Sequence, residues 1–176
     1  MDGKAYLTDV TERFRDLLQQ SERALAQVPR ELWSRRLDPE SNSLVTLMLH
    51  LAGNMLSRWT DFLTTDGEKP DRDRDAEFED PATVDPEALR ARWAAGWDAL
   101  FAALAALTEA DLERTVHIRS RPLSALEAIQ RQLAHYAAHT GQIVFLAKHL
   151  AGPAWRTLSV PRHGSAAFNA EMRRRG

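Results

Sequence analysis

The segment HYAAHTGQI sets His135 and His139 four residues apart. On a helix their imidazoles fall on one side of the axis, about 40° apart. Two imidazoles so placed can chelate one metal ion through their ring nitrogens. The plainer reading is a pair of core histidines, each hydrogen-bonded to a neighbour. A third imidazole on a facing element would favour the metal, and would leave a coordination position open for water or substrate. His50 is the candidate. It lies in SLVTLMLHLAGNMLSRWTDFL, a segment apolar on most sides that nevertheless carries His50, Asn54, Ser57, Arg58 and Asp61 along one face. Polar groups aligned on a buried helix need partners. His117, His149 and His163 fall in a connector, near a helix end and in the tail, where deep burial is not expected.

The chemistry around these histidines is only partly specified. Tyr136 follows His135, so the HExxH pattern and its built-in general base are absent. Asp61 is left as a candidate for proton transfer. Gln142, three residues beyond His139, is a candidate contact to that imidazole or to substrate. Arg58, with Arg72 and Arg74, could orient an anionic substrate; the alternative is pairing with Asp61, Asp75 and Glu77. Asp71, Asp73 and Asp75 alternate in DRDRD, but the glycine and glutamate of a calcium loop are missing. There is no glycine-rich phosphate loop and no GxSxG. The chain contains no cysteine, which excludes disulfides, thiolate metal ligands and a cysteine nucleophile.

Four long helical patterns must position these groups. The first spans about Ala5 to Gln27 and the second Ser43 to Leu63. The third opens at Asp85-Pro86-Glu87, with Asp85 as N-cap and Pro86 in the first turn. The fourth opens with the capping pattern Ser124 to Glu127 and runs to Leu150, stopped by Gly152-Pro153. Between the second and third lies a charged loop, 64–81, with Gly67, Pro70 and Pro81 as breakers. In the connector from Thr108 to Arg121, TVHIR alternates weakly and reads as a short extended piece. One short helix is expected from about Ser165. The fourth helix carries a main apolar stripe and, opposite, Ala134, Ala138, Gly141 and Phe145, so that it is expected to be covered nearly all round, by bundle partners and a second subunit. Trp59 and Trp155 are core residues or pocket walls. The fold class is therefore all-α, a four-helix bundle with a charged loop after helix 2 and a short C-terminal helix, in one domain over residues 1–176.

The chain has 176 residues, enough for one real core, and a net charge of −2, so no global field favours nucleic acid or an anionic membrane. The N-terminus lacks a signal-peptide pattern and no apolar run is long enough to span a bilayer. A cytoplasmic protein acting on a small molecule, with no nucleic-acid or membrane partner, is the expectation.

A histidine on the second helix followed by an HxxxH pair on the fourth resembles the DinB/YfiT-like metal-binding four-helix bundles. The stretches HLAGNMLSRWTDFLTTDGEKPDRDRDAEFE, HYAAHTGQIVFLAKHL and WRTLSVPRHGSAAFN resemble more closely one branch of that superfamily, a bacterial family of unassigned function. The resemblance implies a metal site made by His50, His135 and His139, a divalent ion (zinc or nickel, in some members iron or manganese), and a homodimer. Some members of the superfamily are thiol-dependent transferases, joining a low-molecular-weight thiol to small electrophiles, and others are isomerases, so the resemblance implies a metal-dependent enzyme with such a transfer as its most concrete reaction. Asn54, Arg58, Arg72, Arg74, Asp75 and Glu77 match motif positions of the closer family, without roles that carry over. The competing expectation is a metal-stabilised dimeric binding module with no turnover.

Overall fold

The computed structural model describes residues 2–79 and 85–175. The expected breaker Pro81 lies outside them, with the end of the charged segment. Among the described residues, besides three short 3-10 turns, the elements are α1 (Gly3–Leu25), α2 (Leu44–Trp59), α3 (Pro86–Ala106), β1 (Thr115–Ile118), β2 (Arg121–Ser124), α4 (Ala125–Ala151) and α5 (Ser165–Arg175). The fold is mostly helical. The all-α expectation is amended by one antiparallel hairpin, in which Thr115 pairs with Ser124 and Ile118 with Arg121. Arg119 and Ser120 turn it with φ of 55° and 60°, the two successive positive values of a type I′ turn.

Each long helix begins on a side chain that satisfies its free amides. The Asp2 carboxylate accepts from the Lys4 and Ala5 amides at 3.0 and 3.1 Å. Ser43 accepts from Thr46, and Asp85 accepts from Glu87 ahead of Pro86. Ser124 and Glu127 close a reciprocal capping box: the Glu127 amide donates to Ser124 Oγ, and the Ser124 amide to Glu127 Oε2. These are the places where Ser and Asp stop competing with helical hydrogen bonds and begin to complete them.

α2 packs along α3, and α1 along α4, with α2 also meeting α4. Gly96 lets the first pair approach closely, because a Cβ there would stand 3.0 Å from the Ala52 Cα and from the Met55 Cε. The core between the helices is built from Phe14, Leu25, Leu44, Met48, Leu51, Met55, Trp93, Leu100 and Ile129, all 2% exposed or less. Trp59 Nε1 donates to Tyr136 Oη at 3.0 Å, and Tyr136 Oη donates to Asn54 Oδ1 at 3.0 Å, all three buried. This chain fixes the register of α2 against α4, the two helices that carry the histidines. Ser21 and Thr140 share a buried hydrogen bond at 3.2 Å that ties α1 to α4 in the same way.

One boundary differs from the sequence reading by several residues. α2 ends at Trp59, not Leu63: Thr60 turns extended and Asp61 takes φ of 51°. The loop then folds back, because Ser57 Oγ and the Arg58 guanidinium both donate to the Gly67 carbonyl. The Ala134, Ala138, Gly141 and Phe145 stripe of α4 is not covered by the chain's own helices, and Phe145 is 67% exposed. α5 forms where expected but buries no residue. Among the described residues no helix is long and apolar enough to cross a membrane.

Candidate metal centre

His50 comes from the middle of α2, and His135 and His139 from successive turns of α4. One ring nitrogen of each lies within 4.8 Å of the others. The ring centroids are 5.4 Å apart for His50 and His135, 4.9 Å for His50 and His139, and 4.6 Å for His135 and His139. His50 is 4% exposed, and the α4 pair is half-buried.

The outer contacts of the rings decide which nitrogens face inward. Glu77 Oε2 lies 2.9 Å from His50 Nδ1. An ionised carboxylate only accepts, so Nδ1 carries a proton and Nε2 is the nitrogen left to meet a cation. Burial pushes the Glu77 carboxyl up, but hydrogen bonds from Arg72 and His50 outweigh it and hold the group below the usual glutamate range. Arg72 grips it twice, through Nε to Oε1 at 2.8 Å and Nη2 to Oε2 at 2.7 Å. Gly53 makes the room, since a Cβ at that position would collide with the Glu77 carboxyl. On α4, Gln142 Oε1 lies 2.8 Å from His139 Nδ1, which likewise leaves Nε2 to meet a cation. His135 Nε2 is buried with no hydrogen-bond partner among the described residues. Burial, reinforced by the Arg58 and Arg72 guanidiniums and by the unfavourable meeting with any charged neighbouring imidazole, lowers His135 to about 4 and keeps it neutral.

Three imidazoles, two oriented through Nδ1 and the third with an orphaned Nε2, fit a borderline-soft divalent cation. They form a candidate metal site, and the donor set is imidazole nitrogen throughout.

The site opens into a cavity of about 410 Å³. Arg58, Arg72, Arg74, Arg119 and Arg131 line it, with Phe78 and Gln132. Arg58 pairs with Glu68 at 3.0 Å, not with Asp61 as expected. Arg72 pairs with Glu77, within the pairing alternative, and reaches Glu68 at 3.4 Å. Arg74 meets Asp75 at 3.7 Å and lies over the Phe78 ring, 4.8 Å from its centre. Phe78 in turn packs on His50, with centroids 4.6 Å apart. The charged loop is thus folded onto the site. The Asp66 carboxylate anchors it to the hairpin turn, accepting from the amides of Arg119 at 2.8 Å and Ser120 at 2.6 Å.

Asp61 is not brought to the histidines. It is exposed beyond the end of α2 and lines a separate cavity of about 430 Å³ beside Trp59 and Phe62. Gln142 reaches His139 but faces another cavity, with Ala138, Gly141 and Phe145, so it orients the imidazole from behind. His117, His149 and His163 are exposed. Trp155 is half-buried against the main core. Sequence reasoning did not find the Glu77 contact to His50, nor Phe78, Arg119 and Arg131 beside the site. Gly53, one turn after a buried histidine, was the available sign that a bulky group approaches there.

A mostly helical protein with a tri-histidine candidate metal site is the class that the coordinates define. Residues 2–164 match the model of a family described as protein of unknown function (DUF1572), and the chain belongs to that family. All the site residues fall inside the match, and α5 falls outside it. No curated protein matches the chain.

Proposed function

We propose that the protein is a metal-dependent enzyme of the DinB/YfiT-like superfamily, a thiol-dependent S-transferase acting on small electrophiles. In this reading α1 to α4 form the four-helix bundle of that superfamily, and the protein is a homodimer holding one zinc or nickel ion per chain, with iron or manganese as the alternatives. One observation carries the reading: the three imidazoles converge, with Nδ1 of His50 and of His139 engaged by Glu77 and Gln142 and Nε2 of His135 orphaned, at the wall of a cavity of about 410 Å³.

His50, His135 and His139 would hold the ion and leave further positions open. A bound divalent ion supplies Lewis acidity, lowering the pKa of a thiol at its open position. The chain's own groups do the rest. Glu77 and Gln142 fix the ligand rings, and the folded loop narrows access by solvent. The thiol comes from outside, since the chain has no cysteine. Its proton passes to water. Its sulfur then forms a bond to the electrophilic carbon, and the leaving group departs with the electron pair of the broken bond. No unpaired carboxylate is needed: Glu68 and Glu77 are held as ion pairs by Arg58 and Arg72.

The absence of a carboxylate among the described residues that line the cavity supports the second reading, a metal-stabilised dimeric binding module without turnover. The test is conjugation of small thiols to 1-chloro-2,4-dinitrobenzene, followed as aryl thioether formation. The transferase reading expects a rate that falls at least tenfold on chelation and in His139→Ala, and returns with added zinc or nickel to the wild type only. A chelated protein that melts far lower, while the loaded protein conjugates no thiol tried, establishes the module instead.

A further inference from the structure

The geometry points to an oxyanion site built beside the histidines. Arg131, with Arg74 and Arg119, takes a small molecule bearing a carboxylate or phosphate, and the Gln132 amide takes a hydrogen bond from the same molecule. The role of this site in catalysis rests on the transferase reading above; its existence as a binding site does not.

Arg58 and Arg72, the arginines singled out by sequence, are already committed to Glu68, Glu77 and the Gly67 carbonyl. The cationic capacity left over belongs to other residues. Arg131 lines the cavity and has no ion pair or hydrogen bond among the described residues. Arg74 lies over the Phe78 ring, and its ion-pair partner among the described residues is Asp75, whose side chain is 98% exposed. Arg119, held at the hairpin turn, must share Glu68 with Arg58. Guanidinium groups offer planar pairs of N–H donors that match the two oxygens of a carboxylate or phosphate.

Gln132 is the independent observation. It is 3% exposed, lines the same cavity and stands one turn before His135 on α4, yet its Oε1 is buried with no hydrogen-bond partner among the described residues. A buried acceptor left unmade is unfavourable, and groups of this kind mark places where a ligand completes the hydrogen bonding. The complementary molecule therefore carries an oxyanion and, close to it, an N–H or O–H group. A cavity of about 410 Å³ restricts it to a small molecule. Under the transferase reading, the thiol or the electrophile is such an acid, anchored by its charge while its reactive atom faces the histidines.

The test is titration calorimetry on the full chain, as purified and after chelation, with malonate, inorganic phosphate, hydroxymalonate and uncharged malonamide as probes. At least one of the anions is expected to bind saturably, and malonamide at least tenfold more weakly than malonate. Tighter malonate identifies a carboxylate ligand; tighter phosphate identifies a phosphate ligand. Arg131→Gln, at an exposed position that tolerates the change, is expected to weaken the bound anion at least tenfold, with Arg131→Lys recovering part of the loss. Hydroxymalonate is expected to bind at least threefold more tightly than malonate, a preference that vanishes in Gln132→Leu while the melting temperature stays level or rises. Failure of every anion to bind, or equal affinity in wild type and Arg131→Gln, overturns the site. A fall in melting temperature in Gln132→Leu with the hydroxyl preference intact overturns the role of the amide. Anion binding that survives chelation in a protein that takes up no metal upholds this site while refuting the metal-dependent reading. Metal uptake and conjugation without anion binding does the reverse.

Discussion

His50 is gripped by a carboxylate that is itself gripped by an arginine. This relay holds the imidazole in one tautomer, and its removal is expected to act on metal affinity more than on folding. In Glu77→Gln an amide oxygen still accepts from His50 Nδ1, but Arg72 loses its anion and the ring its electrostatic support. Metal affinity, measured by competition with a chromophoric chelator, is expected to fall about 10- to 100-fold. An unchanged affinity would show that Glu77 serves only to neutralise Arg72. His135 makes a second residue-scale prediction. Its imidazole is lowered to about 4 by burial and by the positive groups around it, against an ordinary value near 6.5 in the unfolded chain. The folded state thus favours the neutral ring. The stability linked to this ring is present in full above about pH 6.5 and is lost as pH falls toward 4, because only the unfolded chain takes up the proton in that interval. The melting temperature of the metal-free protein should therefore fall more steeply between those values in the wild type than in His135→Gln. Parallel curves would mean that His135 does not contribute.

At the scale of elements, α2 and α4 must keep one register for their histidines to meet. The buried chain from Trp59 through Tyr136 to Asn54 sets it. Tyr136→Phe keeps the ring packing but strands the Trp59 N–H and the Asn54 oxygen. Its expected cost is about 2 kcal/mol. That corresponds to a drop of roughly 4–8 °C in Tm for a chain of this size, read by thermal denaturation. A drop below 1 °C would show that the register is set by apolar packing alone. The starts of α3 and α4 were legible in the sequence because capping is a local signal: Asp85 before Pro86, and Ser124 with Glu127. The end of α2 was not legible, because it depends on Ser57 and Arg58 reaching the Gly67 carbonyl across a turn of the loop. The hairpin was visible only as the weak alternation of TVHIR, since its turn is held by Asp66 from far away in the chain.

Over the whole molecule, the histidine convergence was readable from two helical periodicities and one spacing. The ion-pair assignments were not: among interleaved charges such as DRDRD, sequence cannot choose between Asp61 and Glu68 as the partner of Arg58, and the folded loop chose Glu68. Nor could periodicity show that the stripe of Ala134, Ala138, Gly141 and Phe145 remains open on the chain surface. What unites these parts is one design: two helices locked in register, a charged loop folded over them, and three imidazoles with one ring nitrogen of each within 4.8 Å of the others. The most direct test is zinc and nickel titration of the chelated wild type, monitored by competition with a chromophoric chelator, beside His50→Ala, His135→Ala and His139→Ala. One divalent ion per chain in the wild type, with affinity reduced at least 100-fold in each of the three variants, is the expected result. No uptake by the wild type, or undiminished uptake by His50→Ala, would contradict a centre shared between α2 and α4.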